Sequence, residues 1–179
     1  MTLTFRPVDS STVDDFVALF SGSGGPSYCW CMAWRVTPEE AKVKKGSERR
    51  PFMLDRIARG VPVGLLAYGE NGPVGWVSVA PRETYRELGG PATKPGETIW
   101  SIACLYLRRD RRGEGLSQQL LTAAIAHAAD RGASIIEAYP VDPDSPSYRF
   151  MGFVPVFESL GFTEIGSAGS RRHVMRLTI

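Results

Sequence analysis

Arg111-Arg112-Gly113-Glu114-Gly115-Leu116-Ser117 decides how this chain is read. Before it, residues 98–107 carry apolar side chains on both alternating faces. Ile99, Ala103, Leu105 and Leu107 fall on one, Trp100, Ile102, Cys104 and Tyr106 on the other. A strand apolar on both faces lies inside a sheet covered on both sides. After it, Leu116, Leu120, Leu121, Ala124, Ile125 and Ala128 recur at helical spacing, and Gly132 stands where a helix takes its left-handed cap. The spacing predicts a helix over 116–131. Buried strand, arginine-flanked glycine turn and helix N-terminus together aim free N–H groups at one point. The helix dipole makes that point attractive to an anion, so a phosphate-bearing ligand is expected.

The chain has 179 residues, 43% of them apolar, enough for one domain spanning 1–179 with a substantial core. A net charge of +2 is too small for wholesale nucleic-acid binding. Arg108, Arg109, Arg111 and Arg112 nevertheless cluster, and beside a glycine turn they favour an anion site over a solvated loop. No aromatic stacking platform is interleaved with them, which argues against a nucleic-acid partner. Three cysteines make no disulfide framework, so a reducing, cytoplasmic setting is expected. The first residues lack an apolar secretory core, and no apolar run approaches the ~18 residues of a membrane span. Cys29 and Cys31, one residue apart with no histidine or second pair nearby, do not form a zinc site, and no metal is expected.

The remaining pattern predicts a short first strand over 3–8 and a helix after Ser11 with Val13, Phe16, Val17 and Phe20 on its apolar face. Thr37-Pro38-Glu39-Glu40 reads as the capped start of an exposed helix, and Phe52, Met53, Ile57 and Ala58 mark another that ends at Gly60. Strands over 62–69 and 73–80 flank Asn71-Gly72, the chemistry of a tight turn. Residues 82–96, rich in Gly and Pro, are expected to form a surface excursion. A short strand over 134–139, a helix over 153–160 and closing strands over 162–165 and 173–179 complete the order.

The segment Tyr28-Cys29-Trp30-Cys31-Met32-Ala33-Trp34-Arg35 admits two readings. Its large residues plug the core between the first helices, or Tyr28, Trp30 and Trp34 wall an acceptor pocket in which Arg35 meets a substrate carboxylate. A reactive thiol has less support, since nothing in the sequence shows a depressed pKa.

At the glycine turn the chain resembles the GNAT superfamily of acyl-CoA-dependent N-acetyltransferases. That family carries Arg/Gln-x-x-Gly-x-Gly/Ala at a strand-to-helix junction, here Arg112-Gly113-Glu114-Gly115-Leu116-Ser117, with Ser117 in place of the last small residue. Gly161-Phe162 matches the family's Gly-Phe pair after a short late helix. The likeness runs through most of the chain and is strongest over 99–139 and 157–162. It implies an α/β fold with a central, mostly antiparallel mixed sheet, splayed between the fourth and fifth strands, and helices on both faces.

The resemblance further implies an N-acetyltransferase with acetyl-CoA as co-substrate, an amine attacking the thioester directly. The acceptor class expected is a small-molecule amine, on a monomer or homodimer. The amides of Gly113, Glu114, Gly115, Leu116 and Ser117 would wrap the pyrophosphate, with Arg111 or Arg112 adding charge. Leu105, Tyr106 and Leu107 would bond the pantetheine arm as a pseudo-strand. The family's usual acid is a tyrosine four residues before the Gly-Phe glycine, where this chain has Phe157. Tyr148 is the substitute acid, and Glu97 the base, acting through a water; Glu137 and Glu158 are weaker alternatives. Phe157 also supports a rival reading, a catalytically silent CoA-binding sensor or scaffold. His127 and His173 read as structural.

Overall fold

The computed structural model describes residues 2–179. Strand β1 (Thr4–Pro7) is followed by helices α1 (Val13–Ser21) and α2 (Arg50–Ala58). Strands β2 (Leu65–Gly69), β3 (Gly72–Pro81) and β4 (Ile99–Leu107) come next. Helix α3 (Leu116–Asp130), β5 (Ile135–Ala138), α4 (Val154–Ser159), β6 (Thr163–Ala168) and β7 (Arg172–Thr178) close the chain. The sheet order is β1-β2-β3-β4-β5-β7-β6, antiparallel throughout except for the parallel β4–β5 pair.

Both faces of the sheet are covered, as the two-faced apolar pattern of β4 requires. On one face Leu116, Leu120, Leu121, Ala124 and Ala128 of α3 pack with Val154 and Phe157 of α4 against Val77, Val79, Ile102 and Ile136. On the other, Phe16 and Phe20 of α1 and Met53 and Ile57 of α2 pack against Leu66 and Trp76. A third cluster gathers Tyr85 and Leu88 from the β3–β4 connection over Ala103, Tyr139 and Val174. That connection is therefore partly core and not only the surface excursion expected.

One detail of β4 departs from simple alternation. The register with β3 shifts between Ser78 and Val79: Ser78 pairs with Cys104 and Val79 with Ile102, leaving Ala103 as an extra residue. Such a bulge flips the phase of every side chain beyond it. Trp100, Ile102, Leu105 and Leu107 consequently share the α3 cluster, while Cys104 and Tyr106 join the α1–α2 cluster. The face assignment from strict alternation fails at this residue.

Smaller departures have local causes. The stretch after Thr37 makes a reciprocal pair, Thr37 N–H to Glu40 Oε2 (2.9 Å) and Glu40 N–H to Thr37 Oγ1 (3.2 Å), but continues only as a single 3₁₀ turn, Glu40–Lys42. With no buried residue it has no apolar face to prolong it. In the β2–β3 hairpin Gly69 pairs with Gly72, so Glu70-Asn71 forms the tip in place of Asn71-Gly72.

Candidate active site

The parallel pairing of β4 and β5 runs from Ile99↔Ile135 to Ile102↔Ala138 and stops. Pro140 has no N–H to continue a ladder, and the chain beyond β5 bonds elsewhere, Val141 bridging Phe153 and Arg172. Strand β4 continues to Leu107 with β3 as its only partner among the described residues. The two strands splay at that point and a cleft of about 640 Å³ opens. The exposed edge of β4, from Ala103 to Leu107, lines it and leads directly to the glycine turn.

At the turn Gly113 (φ 87°) and Gly115 (φ 70°) take left-handed conformations, and Gly115 is the N-cap of α3. Among the described residues nothing accepts a hydrogen bond from the backbone N–H groups of Gly113, Glu114, Gly115, Leu116 or Ser117. A Cβ on either glycine would meet nothing within 4 Å, so the space in front of the amides is open. Arg109 and Arg112 stand on the cleft wall beside them, and Arg112 Nε donates to the Leu107 carbonyl (3.2 Å). Unpaired amides, a helix dipole and two guanidinium groups form a seat for a polyanion. Leu105, Tyr106, Leu107, Arg112, Gly113, Gly115, Leu116 and Ser117 all line the cleft, whereas Arg111 and Glu114 do not. Arg149, Phe150 and Phe153 were not singled out and do line it, as does Arg109, read in the sequence only as a member of the arginine cluster.

The 28–35 segment divides between its two readings. Tyr28 (72% exposed) and Trp34 line the cleft, and Arg172 lies over the Trp34 ring at 4.5 Å. Trp30 does not line it. Its ring is buried, stacked on Phe20 at 5.6 Å beneath the Arg50 guanidinium, so the packing reading is correct there. Trp30 (φ 50°) and Cys31 (φ 55°) are consecutive non-glycine residues in left-handed backbone. That costs about 1–2 kcal/mol each and turns Trp30 into the core while Trp34 remains at the wall.

Arg35 lines the cleft but is 4% exposed and already engaged. Its NH1 donates to the Cys31 carbonyl (2.9 Å) and Sγ (3.3 Å). Its NH2 donates to Val63 O (2.7 Å), Ser78 Oγ (2.8 Å) and Tyr85 Oη (3.0 Å), leaving only Nε unpartnered. The expected role of clasping a substrate carboxylate therefore gives way to a buried network.

Neither proposed acid–base residue is in the cleft. Glu97 precedes β4, whereas the cleft opens at the other end of that strand, roughly 20 Å along it at ~3.3 Å per residue. Its side chain caps Lys94 N–H (2.7 Å) and lies 3.9 Å from Arg176. The assignment of Glu97 as base is corrected on that ground. Tyr148 (φ 58°) stands outside the lining, its ring 5.4 Å from the Arg172 guanidinium and 6.3 Å from Phe150. Tyr148→Phe is accordingly expected to change kcat less than about twofold; a loss of tenfold or more in steady-state assays would return Tyr148 to the chemistry. Glu137 is wholly buried against Tyr139 and Arg176. His127 packs edge-on to Trp100 at 5.8 Å, and His173 pairs with Glu164 (2.9 Å) and Asp142 (3.2 Å), both away from the cleft.

Residues 28–153 match the Acetyltransferase (GNAT) family. No curated protein sequence matches the chain significantly. Solved structures resemble it over nearly its whole length at low identity, which speaks for the fold. The GNAT domain of S. lividans PAT superposes with a TM-score of 0.61 at 18% identity, covering 100% of this chain and 92% of that one. The PaiA N-acetyltransferase of Thermoplasma acidophilum, in complex with coenzyme A, gives 0.57 at 15% identity over 100% of both chains. Ribosomal-protein-alanine N-acetyltransferase from Brucella melitensis gives 0.59 at 18% identity, over 98% of this chain and 99% of that one. No helix among the described residues is long and apolar enough to cross a membrane. The matched span covers most of the chain and contains both the splayed strand and the glycine turn, so this protein belongs to the Acetyltransferase (GNAT) family of acyltransferases.

Proposed function

We propose that the protein transfers the acetyl group of acetyl-CoA to the amine of a small molecule. The carrying observation is the continuity of the unpaired β4 edge with the five free amides at the start of α3. Acetyl-CoA, when bound, supplies an acetyl group already activated as a thioester. The amides of 113–117, with Arg109 and Arg112, hold its diphosphate. Main-chain groups of Leu105, Tyr106 and Leu107 hold the arm, and a backbone N–H of this edge near Leu105 polarises the thioester carbonyl. Tyr28 and Trp34 wall the acceptor side and exclude water.

No carboxylate lines the cleft, which disfavours polycationic acceptors such as polyamines and favours a compact amine that is neutral elsewhere or acidic. A thiol leaving group, ordinarily ionising near 8.5, departs without a strong enzyme acid, so Phe157 at the usual tyrosine position is compatible with turnover. The rival reading, a silent CoA-binding domain, draws on that same Phe157, which is fully buried against Phe162. Free thiol released from acetyl-CoA on adding a panel of amino acids and arylamines is the expected result. Tight CoA binding with no release for any amine would support the silent domain instead.

A further inference from the structure

The ionisable side chains of the cleft leave one candidate for a proton acceptor. Among the described residues no aspartate, glutamate or histidine lines it. Its arginines do not give up protons. Burial pushes the Cys29 thiol up to about 11 and raises the Tyr28 phenol, while Cys104 is raised by its hydrogen bond to Cys31 and by burial. Tyr106 spends its hydroxyl on the Gly24 carbonyl (3.1 Å). Cys31 remains.

Geometry singles out the same atom. Cys31 Sγ, in a side chain 6% exposed, accepts from Arg35 NH1 (3.3 Å) and from the indole N–H of Trp76 (3.3 Å). Arg35 is a buried guanidinium whose other partners are neutral: carbonyls, the Ser78 hydroxyl and the Tyr85 phenol. Tyr85 is itself held up to about 12 by burial and stays protonated. A buried cation without a counter-charge is costly, and among the described residues the thiol that Arg35 contacts directly, and that can supply the charge, is Cys31. The groups facing the sulfur are thus Cys29 and Arg35 from its own segment, Trp76 and Ser78 from β3, Tyr85 from the β3–β4 connection and Cys104 from β4. Arg49 lies beyond, acting on Cys29. Hydrogen bonding from Cys104, then the Arg35 charge and the Trp76 and Ser78 donors, outweigh burial and bring the Cys31 thiol below its ordinary value. The left-handed backbone at Trp30 and Cys31 is local strain of the kind found where a side chain must be aimed.

We propose that the Cys31 thiolate, held by Arg35 and Trp76 beside Cys104 at the β4 bulge, is the base that takes the proton of the acceptor ammonium. This rests on the acetyltransferase reading above. The N–H bond of the ammonium breaks and an S–H bond forms on Cys31, leaving a neutral amine. The nitrogen lone pair then forms the N–C bond to the thioester carbonyl as the C–S bond to coenzyme A breaks. A second nitrogen proton leaves on the coenzyme A thiol, and Cys31 returns its own proton to solvent. A thiol whose ionisation is lowered toward neutrality is matched to that task.

The test is kcat/KM against pH for the wild type and Cys31→Ser, using an amine that releases thiol. The wild type should fall tenfold per pH unit below an acid limb that lies under the ordinary thiol value of about 8.5. The serine variant should lose about 100-fold at pH 7, recover toward wild type as the pH reaches the amine's own pKa, and keep its acetyl-CoA affinity. A serine variant with the wild-type profile overturns the base role alone. So does an acetyl group retained on Cys31 after incubation with acetyl-CoA in the absence of amine, which would make it a nucleophile. Absence of turnover with every amine removes the underlying acetyltransferase reading instead. Should the variant fail to fold, ultraviolet thiolate absorbance of the wild type decides. One cysteine ionised at pH 7 is expected; three neutral thiols at pH 7 overturn the proposal.

Discussion

Gly115→Asp is expected to weaken acetyl-CoA binding about 100-fold or more while the protein keeps its fold. The substitution is tolerable for the chain itself, because a Cβ at 115 meets nothing within 4 Å. Aspartate is also among the residues that enter left-handed backbone most readily, at a cost near 1 kcal/mol. The ligand suffers more. The carboxylate occupies the space in front of the amides and can itself accept their hydrogen bonds, each worth about 1.5–3 kcal/mol to a charged partner. It also places like charge beside a diphosphate, a repulsion between about 1 and 4 kcal/mol at 4 Å. With two of those bonds lost to the ligand, even the lower figures together exceed the ~2.7 kcal/mol that a 100-fold loss requires. Calorimetric titration of the variant checks this, with thermal unfolding as the control; undiminished affinity would contradict the anion seat.

The second large effect concerns stability. Glu137→Ala is expected to cost about 3–5 kcal/mol, lowering Tm by roughly 6–20 °C for a chain of this size. Glu137 is fully buried in β5, between β4 and β7. Its Oε1 accepts from Tyr139 Oη (2.5 Å), its Oε2 from Arg176 Nε (2.7 Å), and Arg82 NH1 lies 3.5 Å away. Removing the carboxylate strands a buried phenol and two largely buried guanidinium groups without their anion. The site lies away from the cleft, so acetyl-CoA affinity at a temperature where the variant is folded should be unchanged. A Tm shift below about 2 °C, at most about 1 kcal/mol for a chain of this size, would show that these cations find other partners.

What was readable in advance divides by range along the chain. The glycine turn was legible because its signals are local: left-handed glycines, helical periodicity from Leu116, a continuous apolar strand before it. The splay followed from the family resemblance, with Pro140 as its local correlate. The bulge at Ala103 was not legible, because it exists only relative to the Ser78–Val79 register of the neighbouring strand. The Cys31 network was hidden for the same reason: Cys31, Arg35, Trp76, Ser78, Tyr85 and Cys104 come from four separate stretches of chain. Trp30 and Trp34 look equivalent in sequence, and a two-residue left-handed kink sends one inward. The Glu97 assignment failed on direction, since the cleft opens at the C-terminal half of β4 and Glu97 lies before its start.

The central claim is that the amides of Gly113, Glu114, Gly115, Leu116 and Ser117 grip a diphosphate. Amide ¹H–¹⁵N spectra recorded during titration with coenzyme A test it at the atoms concerned. All five resonances should shift together and saturate with the bulk binding curve, those of the β4 edge from Leu105 to Leu107 following. Saturable binding that leaves these five amides unmoved would contradict the account.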